Sequence, residues 1–81
     1  MATQARPLAL VTGASSGIGK ELAFCCAEAG FDLLVVADEP EIQLAAEDLR
    51  ATGVTVTAVE ADLATKQGVD RVVDAVAGRP I

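Results

Sequence analysis

Three glycines at a fixed spacing follow the first apolar run of the chain. The run at residues 8–11 is followed by Gly13, Gly17 and Gly19, in the pattern Gly-x-x-x-Gly-x-Gly. Where a strand passes into a helix, such glycines permit a tight turn, give a ligand access to the backbone and let the helix pack closely. The amides at the start of the helix then point outward at the positive end of its dipole. The spacing therefore predicts a loop that binds a phosphate or pyrophosphate, because a simple tight turn needs only one glycine.

A nucleoside-triphosphate P-loop is the alternative for this stretch. That motif requires G-x-x-x-x-G-K-[ST], and Gly19-Lys20 matches only its Gly-Lys pair. Ala14 stands at the position of the first glycine, and Glu21 stands at the position of the serine or threonine. The hydroxyl that binds Mg²⁺ is therefore missing. We expect Glu21 to lie in the first helical turn, where a carboxylate favours the helix dipole, and Lys20 to be solvated.

Short apolar runs alternate with segments of helical period along the chain. Nearly continuous apolar character at residues 8–11 and 33–37 and alternation at 54–59 predict three strands. Three helical stripes follow the strands in turn: Ile18, Leu22, Cys25, Cys26 and Ala29; Ile42, Ala45, Ala46 and Leu49; and Val69, Val72, Val73 and Val76. The element order is therefore β-α-β-α-β-α.

Residues that start or stop helices bound each of these stripes. Gly30 supplies a left-handed position that ends the first helix, and Pro40 and Gly53 stand at the first turn and the end of the second. Thr65 is placed as the N-cap of the third helix, and Gly78 as its stop.

Strands separated by helices of this length run parallel with right-handed crossovers. The pattern predicts an α/β fold, one β-α-β-α-β-α half of a Rossmann-type doubly wound parallel sheet with strand order 3-2-1. In the complete fold a fourth strand pairs with the first, and the run at 8–11 has no charge or proline to protect a free edge. Residues 78–81 end a helix and begin another apolar segment. We therefore expect residues 1–81 to be the N-terminal half of a dinucleotide-binding domain in a truncated chain; the alternative is a small natural domain with a frayed tail.

Acidic residues follow the second and third predicted strands. Asp38 and Glu39 lie about twenty residues beyond the glycine loop, where a carboxylate accepts hydrogen bonds from the adenosine ribose and repels a 2′-phosphate. These residues predict NAD in preference to NADP. Asp38, beside Pro40, equally fits an N-cap of the second helix, and the two roles are compatible. Asp62 fits either a cap of the turn before Thr65 or the lining of an adenine pocket.

Charge and composition exclude several classes of function. The chain has 81 residues, enough for one domain, and a net charge of −6 with its six basic residues scattered, so a nucleic-acid surface is not expected. No apolar run is long enough to span a membrane, and residues 1–7 lack the apolar core of a secretory signal, which favours the cytoplasm. Hydrophobic residues make up 52% of the chain, above the typical value of about 45–50%. That excess predicts a surface that another element covers.

Two adjacent cysteines, Cys25 and Cys26, are the only ones in the chain. Neighbours on a helix point about 100° apart, so a disulfide between them is not expected. The chain has no histidine, so a zinc site lacks ligands. We expect both cysteines to be buried packing residues.

The stretch Thr12-Gly13-Ala14-Ser15-Ser16-Gly17-Ile18-Gly19 resembles the T-G-x-x-x-G-x-G signature of the short-chain dehydrogenase/reductase (SDR) family. The pair Asp62-Leu63 after the third strand matches the family too, and the resemblance covers essentially the whole chain. It implies that the backbone around Ser15 to Ile18 binds the pyrophosphate and adenosine ribose and that Asp62 contacts adenine. The expected cofactor-binding residues are Gly13, Ser15, Ser16, Gly17, Ile18, Gly19, Asp38, Asp62 and Leu63.

The same resemblance bears on the choice of cofactor. Counted from Gly30, Ala37 falls where many NAD-dependent members place their acid, and Asp38 falls where many NADP-dependent members place an arginine. An acid at the later position still resembles an NAD-preferring subgroup. Ser16 is neutral where NADP-dependent members often carry a basic residue, which also favours NAD.

Family members transfer hydride with a Tyr-x-x-x-Lys pair, an upstream Ser and commonly an Asn. This chain contains no Tyr and no Asn, and Ser15 and Ser16 belong to the phosphate loop. The resemblance therefore implies the cofactor-binding half of an NAD(P)-dependent oxidoreductase that acts on an alcohol/carbonyl pair and forms a homo-oligomer when complete. The 81 residues alone are expected to be inactive. The alternative is a non-catalytic nucleotide-binding or structural module that acts with a partner chain.

Overall fold

The protein is represented by a computed structural model, which describes residues 7–77. Strands and helices alternate along the chain as predicted: β1 (Leu8–Thr12), α1 (Gly17–Glu28), β2 (Asp32–Ala37), α2 (Ile42–Arg50), β3 (Val56–Glu60) and α3 (Lys66–Val76). The strands form one parallel sheet in the order β1-β2-β3, which is the predicted order 3-2-1 counted from the other edge. The predicted Rossmann-type α/β fold class is confirmed.

The central strand β2 is buried along its whole length because helices cover both faces of the sheet. Leu33 and Val35 belong to a cluster that contains the inner side chains of α1 and α2. Leu34 and Val36 point to the opposite face and join a second cluster that contains Val72 of α3. This arrangement explains the nearly continuous apolar character of β2, since neither face of the strand meets solvent.

Helix α1 turns a different face to the sheet than its apolar stripe predicts. Ile18 is 80% exposed and Leu22 is 54% exposed, whereas Ala23 and Ala27 are the buried residues of the helix. The two alanines also form an apolar face, and their small side chains let the helix axis lie close to the strands. The prediction that both cysteines are buried is wrong, because Cys25 is exposed and Cys26 is only half-buried.

Helix α2 packs as predicted. The four residues of its predicted stripe, Ile42, Ala45, Ala46 and Leu49, are all buried, whereas Leu44 is exposed. The helix begins at Ile42, so that Pro40 lies in the preceding turn and not in the first helical turn, as the sequence had suggested. At its C-terminal end, the Arg50 guanidinium donates hydrogen bonds to the Val56 carbonyl from Nε at 3.1 Å and Nη2 at 2.8 Å. These bonds connect the end of α2 to the start of β3.

Helix α3 begins with the predicted cap. The Thr65 side chain is the N-cap and its Oγ1 accepts a hydrogen bond from the Gly68 amide at 3.0 Å. Val72 is buried, but Val69 and Val73 are largely exposed, so only part of the predicted stripe packs on the sheet. The predicted stop at Gly78 and the apolar segment 78–81 lie outside the described residues.

Strand β1 forms one edge of the sheet. Within residues 7–77 it pairs with β2 alone, and Leu10 at its centre is 36% exposed. No helix within the same residues combines the length and apolar character needed to cross a membrane.

Candidate functional site

The loop between β1 and α1 takes its shape from the three glycines. Gly13 and Gly17 have φ angles of +63° and +61°, in the left-handed region that favours glycine. A Cβ atom on Gly19 would overlap the backbone carbonyl of Gly13, so the first helical turn packs directly on the loop. Between these points Ala14 is fully buried, and its amide donates to the Val36 carbonyl at 3.4 Å.

The N-terminus of α1 presents backbone donors to solvent. Ser16 is the N-cap residue in an extended conformation, yet its side chain makes no capping hydrogen bond. The first amides of a helix have no acceptor within the helix itself. Among residues 7–77, no acceptor reaches the amides of residues 15–19. Helix α3 differs, because Thr65 closes its N-terminus.

A cleft opens at the carboxyl ends of the three strands. Its volume is about 230 Å³. It is lined by Thr12, Gly13, Val36, Ala37, Asp38, Ala61, Asp62, Leu63 and Ala64. The fold thus brings together four of the predicted site residues from three loops: Gly13, Asp38, Asp62 and Leu63. Of the other predicted residues, Gly17 and Ile18 line a separate shallow groove on the outer side of α1.

Asp38 lies at the end of β2 with its side chain exposed. It makes no hydrogen bond or ion pair with any other residue between 7 and 77. The N-cap position of α2 belongs to Glu41, three residues further along the chain. The alternative that Asp38 caps α2 is therefore wrong, and its carboxylate is available to a ligand in the cleft.

Asp62 organises the turn between β3 and α3. Its Oδ1 accepts a hydrogen bond from the Ala64 amide at 2.9 Å, and its carbonyl accepts from the Thr65 amide at 3.1 Å and from Thr65 Oγ1 at 2.9 Å. The predicted turn role is confirmed. Asp62 also lines the cleft, so its role in the turn is compatible with the predicted contact to adenine, which stays a prediction.

Glu39 connects the loop after β2 to the glycine loop. The Ser15 hydroxyl donates a hydrogen bond to Glu39 Oε1, across the space between the ends of β1 and β2. The sequence placed Glu39 beside the ribose position but could not reveal this contact, because the two residues are 24 positions apart.

The structure places the two residues that follow Gly19 differently from the sequence-based expectation of a solvated Lys20 and a Glu21 in the first helical turn. Lys20 is not freely solvated, since its Nζ lies 2.9 Å from Asp48 Oδ2 and joins α1 to α2. Glu21 is the fifth residue of α1 and lies beyond the first turn.

Sequence reasoning also missed Gly68. A Cβ atom there would overlap the backbone carbonyl of Asp62, as one on Gly19 would overlap Gly13. The signal was present in the sequence, because Gly19 and Gly68 are each the third residue of a helix that follows a strand.

A model of the short chain dehydrogenase family matches residues 7–79. The chain belongs to the short-chain dehydrogenase family. The resemblance seen in the glycine signature is therefore confirmed, and with it membership of an oxidoreductase family.

Three relatives are similar to this chain over most of its length. An uncharacterized oxidoreductase of Myxococcus xanthus (strain DK1622) is 41% identical over 64 residues, which are 78% of this chain and 25% of the relative. The L-sorbose reductase of Gluconobacter frateurii, solved with NADPH and L-sorbose, is 40% identical with a TM-score of 0.85, over 88% of this chain and 28% of that one. The bulky-bulky ketone specific alcohol dehydrogenase of Comamonas testosteroni is 38% identical with a TM-score of 0.75, over 83% and 28% of the two chains. This chain thus spans about a quarter of the length of these relatives.

Proposed function

We propose that this chain forms the nucleotide-binding part of an NAD(P)-dependent oxidoreductase, with residues 1–81 as the N-terminal half of its dinucleotide-binding domain. The enzyme transfers hydride between the nicotinamide and an alcohol or carbonyl substrate. The observation that carries this proposal is the open N-terminus of α1, where the amides of residues 15–19 have no acceptor within residues 7–77. These donors stand at the positive end of a helix dipole, which favours an anion such as a pyrophosphate.

The space around Gly17 fits a bound phosphate. A Cβ atom on this residue would meet no atom within 4 Å, so a ligand can approach the backbone freely. In the proposal Gly13, Ser15, Ser16, Gly17, Ile18 and Gly19 form the cradle of the pyrophosphate, and their role is to bind and orient. The bound nicotinamide supplies the hydride chemistry, and we propose no catalytic role for any residue of this chain.

The cleft fits the adenosine end of the same ligand. Asp38 is proposed to accept hydrogen bonds from the ribose hydroxyls, and Asp62 and Leu63 to contact adenine. No basic residue lines the cleft within residues 7–77, whereas the carboxylates of Asp38 and Asp62 do. This charge supports NAD over NADP, because a 2′-phosphate would be repelled. The L-sorbose reductase structure contains NADPH, so both dinucleotides belong in any test. By analogy with the family, we further propose a cytoplasmic homo-oligomer.

Titration of the purified protein with NADH and with NADPH, followed by nucleotide fluorescence, tests this function. We expect saturable binding that is abolished by Gly17→Val, because the new side chain fills the approach to the loop amides. Gly53→Val is the matched control, since Gly53 is also a glycine in the left-handed region with open space around it but lies in the turn before β3. The control variant should bind like the wild type. Equal affinity in the Gly17 variant, or no binding of either dinucleotide by the wild type, would refute the proposal.

A further inference from the structure

Strand β3 forms the edge of the sheet opposite β1. We propose that Arg50 protects this edge from pairing with a second copy of the chain. Without Arg50, the β3 edges of two copies would join into one continuous sheet. Strand β2 separates this edge from the glycine loop, so the role of Arg50 does not depend on the proposed function.

The sequence around β3 favours pairing between identical chains. Residues 54–59 read Val-Thr-Val-Thr-Ala-Val, with no charge, proline or glycine. Segments of about six residues with this composition pair with copies of themselves when they lie on an exposed sheet edge. Each free backbone group on this edge is therefore a point at which a second β3 strand can attach.

Alternate residues of β3 direct their backbone groups away from β2, which is the only strand that pairs with β3 within residues 7–77. The Leu33 amide donates to the Thr55 carbonyl at 2.9 Å, and the Ala61 amide donates to the Ala37 carbonyl at 2.9 Å. Every second residue, starting with Thr55, therefore faces β2. The residues that face outward are Val56, Ala58 and Glu60.

Arg50 occupies the first of these outward positions. Its guanidinium donates to the Val56 carbonyl from two nitrogens, Nε at 3.1 Å and Nη2 at 2.8 Å. A guanidinium stays protonated in proteins. An added strand would have to displace this two-pronged contact or bury its charge, and both are unfavourable. The edge is therefore closed to pairing at Val56.

The other two outward positions are open to solvent. Ala58 and Glu60 line a groove of about 520 Å³ between α2 and α3, and no hydrogen bond reaches their backbone groups within residues 7–77. The exposed Glu60 side chain adds a charge at the far end of the strand. Charged residues that flank an uncharged segment oppose its self-association. Arg50 and Glu60 thus stand at the two ends of segment 54–59, and Arg50 is the one that contacts the edge backbone.

Removal of Arg50 should make the chain associate through β3. Leu22→Lys is the background for every variant, because it places a charge in the exposed apolar groove of α1 and so suppresses association through that surface. In this background we expect Arg50→Ala to associate at a concentration about tenfold lower than its parent, the effect of one or two added hydrogen bonds. Sedimentation velocity measures the change. Arg71→Ala is the matched control and should behave like the parent, since Arg71 carries the same charge beside the same groove but makes no hydrogen bond within residues 7–77.

Amide hydrogen exchange locates the surface that associates. Exchange at the Ala58 amide should slow by about tenfold or more when Arg50→Ala associates, because this amide then donates across the new interface. The Leu10 amide, on the other edge of the sheet, should keep its exchange rate. The Val35 amide in the central strand should stay protected, which shows that the fold is intact.

A second substitution at the same position keeps the charge. Arg50→Lys has a single nitrogen to donate, so its association should lie between that of the parent and that of Arg50→Ala. Equal association of Arg50→Ala and Arg71→Ala would overturn the proposal, as would association that leaves exchange at Ala58 unchanged. If Val35 loses protection in Arg50→Ala, that variant has unfolded, and the same two measurements on Arg50→Lys decide in its place.

Discussion

Gly19 lies so close to the backbone carbonyl of Gly13 that a single added carbon atom would overlap it. Gly68 has the same relationship to Asp62 at the start of α3. In both places the third residue of a helix packs on the loop that leaves the preceding strand. The absence of a side chain therefore sets how closely each helix begins behind its strand, which in turn fixes the shape of the cleft.

Alanine at either of these glycines should destabilise the fold. The overlapping atoms belong to the backbone and cannot rotate away, so we expect Gly19→Ala and Gly68→Ala each to lower the free energy of unfolding by about 2–3 kcal/mol. Urea unfolding followed by circular dichroism measures this loss. Gln67→Ala, at an exposed position beside Gly68, is the control and should change stability by less than about 0.5 kcal/mol. Wild-type stability of Gly68→Ala would contradict the close packing at this turn.

The two helix N-termini should respond differently to loss of a hydroxyl. Thr65 Oγ1 caps α3 through the Gly68 amide, so Thr65→Ala should lower the free energy of unfolding by about 1 kcal/mol. Ser16 makes no capping bond, so Ser16→Ala should leave stability nearly unchanged. Thermal unfolding of both variants provides the comparison. Equal losses in the two variants would mean that Ser16 caps α1 in solution and that the α1 amides are not free for a ligand.

Reversal of the charge at Asp38 should change the choice of dinucleotide. Asp38 lines the cleft with no partner between residues 7 and 77, and an arginine there would attract a 2′-phosphate. We expect Asp38→Arg to raise the ratio of NADPH to NADH affinity by more than about tenfold. Glu60→Arg makes the same charge change at an exposed site that does not line the cleft, and its ratio should stay near that of the wild type. An unaltered ratio in Asp38→Arg would remove Asp38 from the ribose site.

The exposed face of α1 should promote self-association. Ile18, Leu22 and Cys25 line an apolar groove on this helix, and contiguous exposed apolar surface drives proteins together. We expect the 81-residue chain to associate in sedimentation velocity runs and Leu22→Lys to shift it toward monomer. Leu44→Lys, at a 66% exposed position on α2 outside the groove, should have a smaller effect. A wild-type chain that stays monomeric at every concentration would contradict this expectation.

The alternation of strands and helices could be predicted because burial leaves a clear pattern. Leu33 to Val36 are apolar without interruption since both faces of β2 are covered. The four buried residues of α2 lie on one helical face at the spacing that the sequence shows. The same reasoning predicted the wrong buried face for helix α1, because the sequence of this helix contains two apolar faces. Periodicity cannot tell whether the face with Leu22 or the face with Ala23 packs on the sheet. In the folded protein the face with Ala23 is buried, because alanine lets the helix pack more closely.

The candidate site could be predicted only in part, for a related reason. Asp38 lies one residue beyond the end of β2 and Asp62 two residues beyond the end of β3, so parallel topology alone places both at the carboxyl ends of the strands. The contacts of Ser15 with Glu39 and of Lys20 with Asp48 join residues 24 and 28 positions apart. Each of these polar side chains had several possible partners, and only the packing of α1 and α2 against the sheet selects one.

The parallel order of the strands also separates the two ends of the molecule. The three loops that follow the strands lie at the carboxyl ends of the sheet, beside the cleft. The turns that follow α1 and α2 lie at the opposite end, where β2 and β3 begin. We therefore expect amino-acid changes at that remote end, such as changes around Thr52, to alter stability or carry a label without changing the affinity of a ligand in the cleft. Substitutions at one end of the sheet can therefore be chosen independently of substitutions at the other end.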